Sequence, residues 1–157
     1  MRHAKSDWAN HSLSDHDRTL NERGRLAAPL MAKHFLENSL APNVVLASTA
    51  VRVRETLALM LAEWRYEPVV IFEQALYLAS VETLKSQVQE LHDSWSDVML
   101  IGHNPGLADY ASRLANQPLE MPTAAVAVYE TEEESWQGVT TLTVQLAANW
   151  QPRDLFE

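Results

Sequence analysis

Three short apolar runs, "NVVLAS" at 43–48, "VVIF" at 69–72 and "DVMLIG" at 97–102, each give way to a segment with helical periodicity. That order constrains the fold more than any other feature. Apolar, largely β-branched runs without alternation mark strands covered on both faces, and parallel neighbours need a crossover that a helix supplies. "AVRVRETLALMLAEW" carries Val53, Leu57, Met60, Leu61 and Trp64 at helical offsets. Earlier, Asn21 predicts a cap for a helix through "ERGRLAAPLMAKHFLENS", with Leu26, Leu30, Met31 and Phe35 at helical spacing and a bend at Pro29. Ser80 predicts the cap of a helix over 81–93, and "HNPGLADYASRLA" reads as a turn entering another helix. Near the end, "AAVAVYE" and "GVTTLTVQLA" flank the acidic stretch "TEEESWQ", which predicts an antiparallel edge pair with a charged tip. The expected fold class is α/β, three layers α/β/α around a mostly parallel central sheet.

No repeat, low-complexity tract or Gly/Ser-rich linker offers a place to divide the chain, so residues 1–157 are expected to form a single domain. A net charge of −9 opposes attraction to a polyphosphate backbone, which argues against nucleic acid as a partner. No window approaches the roughly 18 consecutive apolar residues of a membrane span. The absence of cysteine removes disulfides, thiolate metal sites and thiol nucleophiles together, and a reducing cytoplasm is the expected compartment.

Ligands of open α/β sheets bind where strands end and helix amino termini gather. Arg52 follows the strand ending at Ser48, and His103 and Asn104 follow the one ending at Gly102. Arg2 and His3 would join them if a strand led into them, yet only Met1 precedes them, against the five or so residues of a usual strand. The first strand is therefore expected to be truncated. Two imidazoles and two guanidiniums around one pocket suit a tetrahedral phosphoryl group, since Arg binds its oxygens with planar forks and neutral His can attack phosphorus.

"RHAKSDW", "SDHDRTLNERG", "STAVRVRETL", "EQALYLAS", "IGHNPGL" and "PRDLF" occur in this order across nearly the whole chain. Together they resemble the SixA-type phosphohistidine phosphatases of the histidine phosphatase superfamily. The resemblance implies a phosphoglycerate mutase-like fold and a metal-independent reaction with no cofactor, in which His3 is the phosphorylated nucleophile and Arg2, Arg52 and His103 surround the transferred group. Arg52 is preferred to Arg54 because it lies midway between Ser48 and Thr56, as in the family pattern. Arg18 is expected at the pocket rim, and the N–H of Asn104 on a phosphate oxygen. Expected partners are a phosphorylated protein of the phosphorelay or phosphocarrier type, or a small phosphorylated compound, with a monomer favoured.

The chain departs from the mutase-like members at one point: "QALYLAS" offers no carboxylate where those members carry a glutamate that protonates the leaving oxygen, and Glu73 lies too early. Imidazole titrates near 6.5 and an alcohol near 15, a gap of roughly nine units, or about 12 kcal/mol at most, of which a loose transition state feels a fraction. A site without an acid favours P–N bonds or activated phosphates over simple sugar phosphates. A small-molecule phosphomonoesterase, or a non-catalytic phosphoprotein-binding module should the short amino terminus leave His3 unanchored, remain as rival readings. The run "HSLSDHD" gathers His11, Asp15, His16 and Asp17 but matches no metal-ligand spacing and reads as a polar surface loop. Lys5 and Ser6 read as loop residues that shape the pocket, and the five tryptophans as core or hinge packing.

Overall fold

The computed structural model describes residues 1–156. Helix α1 (Glu22–Glu37) precedes strand β1 (Val44–Ser48), then follow α2 (Val51–Glu63), β2 (Val69–Glu73), α3 (Val81–Gln89), β3 (Val98–Ile101), α4 (Gly106–Ala115), β4 (Val126–Thr131) and β5 (Val144–Trp150). The parallel sheet has the order β2-β1-β3. Crossovers of one hand that step in opposite directions must place their helices on opposite faces, which is why α2 and α3 end up on different sides of β1.

Strand β1 is buried throughout, and its pleat divides the core. Val45 and Ala47 pack with Met31, Phe35, Val53, Leu57 and Met60 of α1 and α2. Val44 and Leu46 pack with Leu84, Leu107, Tyr110 and Ala111 of α3 and α4. The three-layer expectation holds, with the β4–β5 antiparallel pair at the edge.

Asn21 caps α1 by accepting from the Gly24 N–H at 3.0 Å. The buried stripe of α1 is Gly24, Ala27, Ala28, Met31, Ala32 and Phe35, so the helix approaches α2 through small side chains. Leu26 falls one position off that stripe and is 59% exposed, which corrects its place in the predicted apolar face. Helix α3 stops at Gln89 rather than 93, because beyond it the Asp93 carboxylate accepts from the Trp136 N–H and His92 accepts from the Ser94 N–H. Local side-chain bonds compete there with helix continuation. Strand β5 likewise begins at Val144, six residues later than "GVTTLTVQLA" implies. Thr143 closes a turn instead, donating to Gly138 O at 2.9 Å and accepting from the Thr140 N–H at 2.8 Å.

The residues ahead of the site take strand geometry despite their small number. Arg2 forms a parallel bridge with Gly102, the His3 N–H donates to Gly102 O at 3.2 Å, and the Gly102 N–H donates to Met1 O at 3.1 Å. On the other side the Arg2 N–H donates to Ala125 O at 3.0 Å and the Ala124 N–H to His3 O at 2.9 Å. Met1–His3 thus runs between β3 and the start of β4.

Candidate active site

The register Ala47↔Ile101 sets the ends of β1 and β3 side by side, and the chain turns from each into a helix. The first turn delivers Arg52 and the second His103, while the terminal strip brings His3 against Gly102. Arg52, His3 and His103 are 2%, 5% and 3% exposed, and the two ring centroids lie 5.2 Å apart.

Hydrogen-bond chemistry fixes the tautomer of His3. Its Nδ1 lies 2.7 Å from Ala4 O, which only accepts, and its Nε2 lies 3.2 Å from the Nε of Arg52, which only donates. Nδ1 therefore carries the proton and Nε2 is bare. His103 is fixed in the opposite sense: Nδ1 accepts from Arg52 Nη2 at 3.1 Å, and Nε2 donates to Ser48 Oγ at 2.7 Å. Burial, followed by the neighbouring Arg52 charge, lowers His3 to about 3 and His103 to about 4. Both rings are neutral at pH 7, which leaves the His3 Nε2 lone pair competent to attack an electrophile.

Arg52 links the two rings. Beyond Nε to His3 and Nη2 to His103, it donates through Nη1 to the Asp15 carbonyl at 2.6 Å and through Nη2 to the Asp15 carboxylate at 3.1 Å. Thr56 ties the helix to the strip: its hydroxyl accepts from the Ala4 N–H at 3.0 Å and donates to Arg52 O at 2.7 Å. Arg2 is half-buried and donates through Nη1 to Met121 O at 3.1 Å, while its buried Nε has no partner among the described residues. An unpaired buried guanidinium donor beside Arg52 is costly unless an anion meets it.

The structure brings Arg2, His3, Arg52 and His103 to one place. Arg18 is a buried rim residue, 8% exposed, bonded to Asp15 and Ser6 with its guanidinium carbon 3.5 Å above the Trp8 ring. Trp8 itself is 64% exposed, so the core or hinge reading fails for it, whereas Trp64 is buried as expected. Asn104 turns its amide to Met121 O at 2.9 Å, sharing that acceptor with Arg2. Arg54 points away from the site, bonding Thr49 O at 3.0 Å and lying over Phe72.

Two residues escaped the sequence reading. Asp15 belongs to the run taken for a polar surface loop, yet its carboxylate bonds Arg18, Arg52 and Tyr77. Tyr77 stands after β2 at the same sheet end, its ring nearly perpendicular to that of His103 with the centroids 5.3 Å apart. The available signal was the three-residue interval between Asp15 and Arg18, an acid–base pair inside one turn. An apolar cavity of about 420 Å³ lies elsewhere, between β3 and β4, and none of the expected site residues lines it.

A cationic pocket with paired neutral imidazoles at the strand ends of an open α/β sheet defines a phosphoryl-handling class of protein, and the comparisons give that class its family. The histidine phosphatase superfamily (branch 1) model matches residues 1–104. An uncharacterized protein of Mycobacterium tuberculosis is 32% identical over 150 residues, covering 96% of this chain and 89% of the relative. The structure of a candidate phosphohistidine phosphatase SixA from Agrobacterium tumefaciens superposes with a TM-score of 0.84 at 26% identity, covering 97% of this chain and 95% of the other. Another candidate SixA, from Nakamurella multipartitia, gives 0.83 at 25% identity, with 97% and 93% covered. The chain belongs to the histidine phosphatase superfamily, branch 1, and is of the SixA type within it. Phosphatase chemistry is the activity these matches support. No helix among the described residues is long and apolar enough to cross a membrane.

Proposed function

We propose that this protein is a metal-independent phosphatase that hydrolyses phosphohistidine on a protein of the phosphorelay or phosphocarrier type. One observation carries the reading: Arg52 bridges the bare Nε2 of His3 and the Nδ1 of His103, so a phosphoryl oxygen that takes over the guanidinium places phosphorus against the His3 lone pair.

In the first step Nε2 of His3 attacks phosphorus, and the P–N bond to the substrate imidazole breaks with its electron pair returning to that nitrogen. Phosphorylated His3 keeps the Nδ1 proton that Ala4 O holds. Water then attacks phosphorus, the P–Nε2 bond breaks, and neutral His3 and dihydrogen phosphate result. Arg2, Arg52 and Arg18 neutralise charge on the transferred group, the work that phosphoryl transfer chiefly requires and that a metal performs elsewhere. The hydrogen bonds on both sides of Met1–His3 support catalysis over a binding-module reading, since they hold the imidazole in one orientation.

Incubation with phosphoramidate is expected to label His3, and His3→Ala to abolish both the label and turnover, with no response to a chelator. Turnover that survives His3→Ala overturns the reading, as does a requirement for a divalent cation.

A further inference from the structure

Resting on the phosphohistidine reading above, we propose that Asp15 recognises the leaving group: its carboxylate pairs with the protonated imidazole of the substrate and takes the place of the general acid that "QALYLAS" lacks.

Position comes first. The Asp15 side chain is 42% exposed, whereas the Arg52 side chain beside it is 2% exposed, so the carboxylate stands at the mouth and the guanidinium at the floor. A leaving group that belongs to another protein must lie toward that mouth. The carboxylate is also held in place. Oδ1 accepts from Arg18 Nε at 3.0 Å with Nη2 in ion-pair contact at 3.0 Å, and Oδ2 accepts from Arg52 Nη2 at 3.1 Å and from the Tyr77 hydroxyl. Arg18 is itself fixed by Ser6 and the Trp8 ring.

Arg52 and Tyr77 thus fill both acceptor sites of Oδ2. Substrate binding changes the count. Arg52 Nη2 shares its donors between Oδ2 and the neutral His103 Nδ1, and a dianionic phosphoryl oxygen is a better acceptor than either. When Nη2 turns to it, one site on Oδ2 falls vacant beside the scissile bond. An imidazolium N–H fills that site with a charge-assisted bond. An alcohol or phenol, which departs carrying negative charge, meets repulsion there.

Asp15 is a poor proton donor. Burial alone would raise its pKa, but the hydrogen bonds from Tyr77 and Arg18 and the Arg52 charge outweigh it and hold the group at about 2. At neutral pH it is an anion that can select a cation. The step balances: phosphohistidine protonated on its distal ring nitrogen loses the phosphoryl group to neutral His3 and departs as neutral imidazole, its N–H proton retained throughout. Asp15 stabilises the protonated ring before departure and is unchanged afterwards.

The test compares kcat/KM for N-phosphoimidazole and p-nitrophenyl phosphate in wild type, Asp15→Asn and Asp15→Glu. Losing a charge-assisted bond lowers the P–N to aryl P–O ratio by about tenfold or more in Asp15→Asn. Asp15→Glu keeps the charge and is expected to keep the preference even where both rates fall. An equal loss on both substrates in Asp15→Asn overturns the assignment, because a mere buttress of Arg52 and Arg18 serves every substrate alike. The wild type supplies a readout independent of variant folding: 4-methylimidazole is expected to inhibit p-nitrophenyl phosphate hydrolysis more strongly at about pH 6, as a cation, than at about pH 9. Equal inhibition at the two pH values also overturns the assignment. A wild type that prefers phosphate monoesters to N-phosphoimidazole overturns the phosphohistidine reading itself, and with it this one. P–N hydrolysis with a ratio that Asp15→Asn leaves unmoved removes Asp15 alone.

Discussion

Gly24→Ala separates helix propensity from packing, because the two predict opposite signs. Position 24 lies in the first turns of α1, where Ala is favoured over Gly by about 1 kcal/mol in an exposed helix interior. Here the residue is buried against Lys5: a Cβ would lie 3.0 Å from both the Lys5 carbonyl carbon and its nitrogen, and closer still to the carbonyl oxygen. Lys5 O also accepts from the Asn21 N–H at 3.0 Å, the bond that joins the strip to the helix start. A methyl drives this backbone back by about 1 Å and breaks that bond, at about 1–3 kcal/mol for overpacking and about 1 kcal/mol for the hydrogen bond. After the propensity gain, the expected net loss is about 1–3 kcal/mol, read as a lower urea midpoint at unchanged slope. Activity falls more sharply. Lys5 is two residues from His3, and Ala4 between them holds both the Nδ1 bond and the Thr56 contact. A displacement of about 1 Å at a reacting group costs on the order of a hundredfold in rate. A Gly24→Ala protein that is more stable than wild type and fully active refutes the claim that this close approach positions the histidine.

Thr56→Val keeps the shape of a fully buried side chain and removes the hydroxyl, leaving the Ala4 N–H without its partner. A loss of about 1–3 kcal/mol is expected in urea unfolding, and an unchanged midpoint contradicts the role given to this bond. The buried imidazoles set a pH dependence. Folded values of about 3 for His3 and about 4 for His103 lie below the value near 6.5 of an unfolded histidine. Below that value the unfolded chain binds more protons, so their contribution is complete above about pH 6.5 and is lost as pH falls toward 4 for His103 and toward 3 for His3. The slope is at most about 1.4 kcal/mol per pH unit for each ring. Urea midpoints at about pH 7.5 and about pH 5 check this: His3→Gln and His103→Gln each reduce the difference, and a flat profile for wild type refutes it.

What the sequence makes legible follows from the range of the forces involved. The runs 43–48, 69–72 and 97–102 become β1, β2 and β3 because burial on two faces leaves a local signature, an unbroken apolar string. Arg52 and His103 could be placed from it too, since a residue just past a parallel strand stands at the ligand edge whatever the loops do. Boundaries set by single side chains left no such mark. The end of α3 depends on Asp93 meeting a backbone N–H of Trp136, and the start of β5 on a hydroxyl closing a turn. The amino terminus misled in the opposite direction: too short to read as a strand, it is ordered by partners at 100–102 and 124–125 that no local pattern announces. Asp15 was hidden for a related reason. In sequence it is one acid in a polar run, and only closure of that run over Arg52, 37 residues away, turns a solvated carboxylate into part of the site. Residues whose function depends on one charged group meeting another across the fold are the ones a linear reading passes over, and Asp15, which we propose distinguishes P–N bonds from phosphate esters, is one of them.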